Sequence, residues 1–119
     1  MDKYFQVRTR VFEYGTILDM DGDMTKLAEE AMLGAPPREY AGPYLVLNFT
    51  NVPYMNSAGI AILIRIVRTG IKGSYRTFAY GISPHFQKLF RMVGLTEYLM
   101  IYPDEYTVLQ RIESLEERG

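Results

Sequence analysis

One serine lies at a predicted helix start, a position that favours an anion. Ser57 belongs to an Asn-Ser-Ala-Gly segment at residues 56–59, just after an apolar run. This position predicts the first turn of a helix. Unpaired N–H groups and the positive end of the helix dipole favour anions there. A phosphoryl group on this hydroxyl would add about -1.5 to -2 charge at pH 7. The simpler alternative is that Asn56 or Ser57 only caps the helix.

Other reactive side chains are few. The chain has one histidine and no cysteine, which excludes disulfide frameworks, thiolate metal sites and cysteine nucleophiles. His85 could serve as a base for Ser57, but no Gly-x-Ser-x-Gly elbow surrounds the serine and no acid partner is evident. We therefore expect no catalytic residue, cofactor or metal, and we interpret the chain as a binding module rather than an enzyme.

An acidic cluster imitates a calcium loop. Four residues match the first, third, fifth and twelfth positions of an EF-hand: Asp19, Asp21, Asp23 and Glu30. Met24 takes the sixth position, where that loop needs glycine, so these carboxylates are better explained by a strand-to-helix turn.

A basic cluster beside Tyr75 raises the alternative of a weak nucleic-acid or phosphate patch. Its members are Arg65, Arg68, Lys72 and Arg76. A solvated helix end is the simpler interpretation, and we expect no nucleic-acid partner.

Composition limits the class of protein. The 119 residues are 48% apolar and 23% charged, with a formal net charge of -1, as in an ordinary single globular domain. This balance gives no global positive field for nucleic acid or an anionic membrane. No signal-peptide core and no apolar run of about 20 residues is present. We expect one soluble, cytoplasmic domain over residues 1–119.

The pattern of apolar residues predicts the elements that position Ser57. Alternation and apolar runs predict strands at residues 5–11, 16–20, 44–49, 75–82 and 99–102, the first two forming a hairpin. Helical spacing and caps predict helices from Thr25 to the Gly34 stop and at residues 56–69, 85–93 and 104–117. Residues 35–43, with three prolines, are predicted to be a surface connection. The order predicts an α/β domain with a mainly parallel mixed sheet and right-handed crossovers.

The loop at residues 50–56 is the first place to look for a site, because sites in such sheets gather at the carboxyl ends of strands. The next helix has an unusual pattern. Its expected core stripe is Ile60, Leu63, Ile64 and Val67. Ile62 and Ile66 project away from that stripe, so either their side is buried as well or it awaits a partner.

Two segments carry a family resemblance. Residues 45–60 (LVLNFTNVPYMNSAGI) resemble the strand, loop and helix start of the STAS domain, the fold of bacterial anti-sigma factor antagonists. Residues 81–84 (GISP) and 89–95 (LFRMVGL) are similar to that family's second recognisable stretch. The order of predicted elements also matches the family from end to end.

The resemblance implies a regulator of transcription that works by partner switching. Such a domain binds an anti-sigma factor that is also a serine kinase, and phosphorylation of the serine at the helix start switches it off. Carried onto this chain, that serine is Ser57, and a protein phosphatase would reset it. The expected partner-binding residues are Tyr54, Met55, Asn56, Ser57, Ala58, Gly59, Ile62 and Ile66.

Two departures from the family pattern keep other functions open. Asn56 stands where the family often has Asp, and Ala58 where it often has a second small hydroxyl residue. These changes favour a STAS scaffold that binds partners, or a second copy of itself, without phosphate control. A small α/β enzyme using Ser57 with His85 is the third alternative.

Overall fold

Five strands and four helices alternate along the described part of the chain. The structure, a computed structural model, describes residues 4–33, 42–73 and 75–118. The strands are β1 (Phe5–Phe12), β2 (Gly15–Gly22), β3 (Tyr44–Asn51), β4 (Arg76–Tyr80) and β5 (Leu99–Tyr102). The helices are α1 (Glu29–Leu33), α2 (Ser57–Gly73), α3 (Pro84–Met92) and α4 (Glu105–Arg118), with 3-10 turns at Lys26–Ala28 and Leu95–Glu97.

The strands form one mixed sheet in the order β1-β2-β3-β4-β5. β1 and β2 are an antiparallel hairpin in which Phe12 pairs with Gly15 across a two-residue turn. The pairings of β2 with β3, β3 with β4 and β4 with β5 are parallel. The α/β class and the mainly parallel mixed sheet are therefore confirmed.

Alternation along the strands builds a core on each face of the sheet. The strand residues of the larger core are Leu18, Met20, Leu45, Leu47, Phe49, Ala79 and Leu99, and α1, α2 and α3 add side chains to it. Helix α4 packs on the opposite face through Val108 and Ile112, against Ile17, Tyr44, Val46, Phe78 and Tyr80. The carboxyl ends of β2, β3 and β4 thus lie together at one edge.

Helix α2 is one turn longer than its sequence predicts. The predicted helix ended at residue 69, before Gly70, but the helix continues to Gly73. A Cβ at position 70 would press into the ring of Tyr75, and the Gly70 carbonyl accepts a hydrogen bond from the Tyr75 N–H at 3.0 Å. Gly70 therefore permits close packing rather than marking a stop.

The first helix starts as expected but turns a different face to the core. The Thr25 side chain accepts a hydrogen bond from the Leu27 N–H at 3.2 Å, which caps a 3-10 turn before α1. Ala28 and Met32 are buried, whereas Leu27 and Ala31, the other two residues of the apolar helical pattern, are exposed. The tighter 3-10 turn changes the helical phase. Of the expected proline-rich connection, residues 35–41 lie outside the described residues, as does the Gly34 stop.

No helix within residues 4–33, 42–73 and 75–118 combines the length and the apolar character needed to cross a membrane.

Candidate functional site

The start of α2 is held by an extension of the sheet. Met24 and Met55 form a parallel bridge beyond the ends of β2 and β3. The Met24 N–H donates to the Tyr54 carbonyl at 2.9 Å, and the Asn56 N–H donates to the Met24 carbonyl at 3.3 Å. The backbone on both sides of Met55 is therefore fixed before the helix begins.

Asn56 is the N-cap of α2. Its side-chain Oδ1 accepts hydrogen bonds from the N–H groups of Ala58 at 3.1 Å and Gly59 at 3.2 Å. Its carbonyl accepts the first helical bond, from Ile60, at 3.0 Å. The cap satisfies helix-start donors that would otherwise lack partners. Of the two capping alternatives, Asn56 fills the role and Ser57 does not.

Ser57 is the first residue of α2, and its side chain is exposed. Within the described residues, none hydrogen-bonds to its hydroxyl. Pro53 and Asn56 are also exposed, and Tyr54 retains 50% of its accessible surface. Together these residues form a polar and aromatic strip with the hydroxyl at its end, which we call the Ser57 strip (Pro53, Tyr54, Asn56 and Ser57).

Four of the eight expected partner-binding residues are buried, which corrects the expectation that they form a surface patch. Their relative exposures include 4% for each of Met55, Ile62 and Ile66. These three side chains belong to the larger core, together with those of Leu63 and Val67. The buried arc of α2 is therefore wider than the predicted stripe. Of the two alternatives for Ile62 and Ile66, the structure shows the first, since their side of the helix is buried as well.

Gly59, the fourth buried residue, faces the Met24 carbonyl. A Cβ at position 59 would overlap that carbonyl oxygen. Glycine is needed because the helix approaches the bridge backbone closely. Of the expected set, Tyr54, Asn56 and Ser57 remain exposed and Ala58 is half-buried.

A charged cluster on the face of the sheet that α4 covers was not expected from the sequence. Arg10 of β1 donates to Asp19 of β2 from Nε at 2.6 Å and from Nη2 at 2.8 Å. Arg10 Nη2 also donates to Glu105 Oε1, at the start of α4, at 2.7 Å. The bond from Arg10 is the main cause that lowers the pKa of both carboxyls.

Polar side chains of β3 and β4 extend this cluster toward the Ser57 loop. The Tyr80 hydroxyl donates to Glu105 at 2.7 Å, and burial is the main cause that raises the Tyr80 pKa. Asn48 donates to Asp19 at 2.8 Å and accepts from the Thr50 N–H at 2.9 Å. The alternation of a hairpin could have suggested the Arg10–Asp19 pair, since charges on one face of adjacent strands meet. Nothing in the local sequence signals Glu105.

Two side chains on which the alternative functions depend, those of His85 and Tyr75, make other contacts in the structure. The His85 ring packs edge-on against Phe86, with centroids 5.1 Å apart, and no hydrogen bond joins His85 to Ser57 in the described part of the chain. Tyr75 is buried and donates its hydroxyl to the Ile66 carbonyl at 2.7 Å, so it offers no stacking surface for a base. Among the described residues, no group of three or more His, Asp or Glu side chains could hold a metal ion.

Known structures share this fold. An anti-sigma factor antagonist from Mycobacterium paratuberculosis is similar with a TM-score of 0.75 and 16% identity, covering 92% of this chain and 94% of that one. The Bacillus cell fate determinant SpoIIAA in its phosphorylated form is similar with a TM-score of 0.64 and 20% identity, covering 91% and 98%. The murine anion transporter Slc26a9 matches with a TM-score of 0.72 and 11% identity, covering 95% of this chain and 22% of that one.

These three proteins place one fold in different functional settings, so the likeness identifies the fold alone. No curated protein sequence matches this chain significantly. The family model of the STAS domain matches residues 6–108, which include β1 except for its first residue, the other four strands and the whole of α2. The chain therefore belongs to the STAS domain family.

Proposed function

We propose that this protein is an anti-sigma factor antagonist whose binding to an anti-sigma serine kinase is switched off by phosphorylation of Ser57. The observation that carries the proposal is the division of roles at the start of α2. Asn56 caps the helix, so the exposed Ser57 hydroxyl has no capping role. A residue that does not stabilise its own helix, and whose backbone is fixed, is suited to modification.

The local electrostatics favour a phosphate at this position. The positive end of the α2 dipole stabilises negative charge in the first turn by about 0.3–1 kcal/mol at an exposed site. The N–H groups of Ala58 and Gly59 are already bonded to Asn56. A phosphate on Ser57 therefore remains at the surface, and the fold stays intact.

The switch acts through docking. The Ser57 strip offers Tyr54 as an aromatic anchor, and aromatic residues often dominate interface energies. One turn along α2, Ala61 is exposed and short, so a kinase has access to the hydroxyl. After phosphorylation, a partner must desolvate a charge at this strip, which costs several kcal/mol unless the charge is paired. The complex with the kinase then weakens.

The proposed partners are proteins. The kinase supplies the phosphoryl group from ATP and releases ADP, while Ser57 loses its proton and acts only as the acceptor. A phosphatase returns the serine by hydrolysis, and both events belong to the cytoplasm in this scheme. The protein itself performs no catalysis.

The test is intact mass with peptide mapping after incubation with ATP and an anti-sigma serine kinase from the same organism. We expect one added phosphate on Ser57, its absence in Ser57→Ala, and a weaker complex after modification. Ser114→Ala is the matched control, because Ser114 is also an exposed helical serine but lies on α4. Phosphorylation of Ser57→Ala to the same extent would contradict the assignment.

A STAS scaffold without phosphate control is the second candidate, favoured by Asn56 and Ala58 in place of the family's usual residues. It predicts a stable complex with the kinase, or a homodimer, and no phosphate on Ser57. A Ser57→Asp variant that binds its partner as tightly as the wild type would decide for the scaffold.

A further inference from the structure

A two-lobed groove runs beside the C-terminal half of α2, away from Ser57 at the start of the helix. Its lobes have volumes of about 360 Å³ and about 280 Å³. Both are lined by Val67, Ile71 and Tyr98, so the two lobes are adjacent. Val93 completes the wall of the smaller lobe.

The groove gathers apolar side chains that water reaches. Ile71 is 57% exposed, Tyr98 56% and Val93 48%. Single exposed apolar residues are ordinary on a protein surface, but several around one concavity are typical of an interaction site.

The charge around the groove is mainly positive. Arg68 lines one lobe, and Lys72 lies one turn beyond it on α2. Arg76 lines the other lobe, but its guanidinium lies over the Phe78 ring, 5.7 Å from the centroid, on the α4 face of the sheet. All three are exposed, and no described residue forms an ion pair with them. Glu97 is the acidic residue among the lining residues of the described chain. A partner with carboxylates beside its apolar contacts therefore complements this surface.

The α2 residues that line the smaller lobe recur at i, i+3, i+4 and i+7 spacing (Ile64, Val67, Arg68 and Ile71), so a second helix can pack along them. From Ile64 to Ile71, α2 rises about 10 Å, which is the spacing of the i, i+3 or i+4, and i+7 anchors of an amphipathic helix. Arg68 and Lys72, four residues apart, then face carboxylates on successive turns of that helix. We propose that this groove is a second docking surface, which binds an acidic amphipathic helix of a protein partner.

This surface works independently of the Ser57 switch. Arg68 is eleven residues along α2 from Ser57, about 16 Å at the usual helical rise. The Debye length at physiological ionic strength is about 8 Å, so a phosphate on Ser57 is largely screened at the groove. The protein could hold a second partner in either state of Ser57, which goes beyond the proposed function.

The test uses two synthetic helical peptides of about 14 residues, each with a leucine stripe at i, i+3, i+4 and i+7 spacing. One has glutamate beside the stripe and the other lysine. We expect the glutamate peptide to shift amide NMR signals at residues 64–76 and 93–98, and to bind at least about tenfold more tightly than the lysine peptide. Equal affinity, no binding, or shifts confined to other surfaces would overturn the proposal.

Variants separate the groove from the switch. Arg68→Glu with Lys72→Glu changes only exposed side chains, so the fold is retained, and we expect it to reverse the peptide preference. Tyr98→Ala should weaken the glutamate peptide about tenfold through loss of an aromatic contact. Ser57→Asp should leave its affinity unchanged whether or not Ser57 is a phosphorylation site. A concentration-dependent dimer that Tyr98→Ala abolishes would instead assign the groove to a second copy of this chain.

Discussion

The first turn of α2 and the body of the same helix have opposite relations to the rest of the protein. The body buries a wide arc that includes Ile62, Leu63, Ile66 and Val67. The first turn leaves Ser57 exposed while Asn56 holds the backbone. A packed helix body thus provides a rigid support for a terminal side chain that can change chemically without disturbing the core.

The comparison predicts that substitutions in the body change stability, whereas Ser57 changes binding. The largest effect is expected for Ile66→Ala, which removes a side chain that is 4% exposed. We expect the free energy of unfolding in urea to fall by about 2–5 kcal/mol, because a cavity replaces core contacts. Ile64→Ala, at a half-buried position, should lose clearly less. Similar losses of unfolding free energy in the two variants would show that the buried side of α2 is not centred on the arc that contains Ile66.

A smaller loss is expected for Gly59→Ala. The added methyl overlaps the Met24 carbonyl, so the variant should lose about 1–3 kcal/mol of unfolding free energy, despite the better helix propensity of alanine. Gly73→Ala is the control, since nothing lies within 4 Å of a Cβ there. Thermal unfolding should rank Gly59→Ala below the wild type and Gly73→Ala at or above it. The reverse ranking would contradict the close approach.

The Asn56 cap, which lies between these two regions, should contribute an intermediate amount to the free energy of unfolding. Asn56→Ala leaves the N–H groups of Ala58 and Gly59 without their side-chain acceptor, and we expect a loss of about 1 kcal/mol. Asn56→Asp keeps an acceptor and should retain wild-type stability in urea unfolding at neutral pH. If Asn56→Ala is as stable as Asn56→Asp, the capping role assigned to Asn56 is wrong.

The smallest effect is expected far from α2, in the Arg10 cluster. Because the folded-state pKa values of Asp19 and Glu105 are lowered from 3.8 and 4.5, the folded protein binds fewer protons there than the unfolded chain. This stabilisation is complete above those ordinary values and is lost as pH falls through the lower folded-state values. Both carboxyls are partly exposed, so the contribution is at most about 1 kcal/mol.

Arg10→Met tests this pH dependence. Its loss of unfolding free energy relative to the wild type should be larger near pH 7 than near pH 3, as measured by urea unfolding at both values. Arg8→Met, on the same strand, should lose less, because the bonds to both carboxyls come from Arg10. A loss that does not change with pH would exclude the assigned pairing.

The sequence was sufficient for features set by local chemistry. The cap at Thr25, the alternation in β1 and the apolar runs of β2 and β3 predicted the element order and the position of Ser57, because these signals act over a few residues. Local patterns could not identify Asn56 as the cap, since two adjacent residues suited the role. The burial of Ile62 and Ile66 depends on how closely Gly59 and Gly70 let α2 approach its neighbours. The Arg10–Glu105 pair joins residues 95 positions apart, beyond the reach of any local pattern.

The central claim is that a phosphate on Ser57 changes docking and leaves folding unchanged. The most direct measurement compares phosphorylated and unmodified protein in two assays, urea unfolding and the equilibrium dissociation constant with the kinase. The account predicts that phosphorylation does not lower the free energy of unfolding and raises it by at most about 1 kcal/mol. It also predicts a dissociation constant raised at least about tenfold. An unchanged dissociation constant, or a loss of binding that merely follows unfolding of the domain, would contradict it.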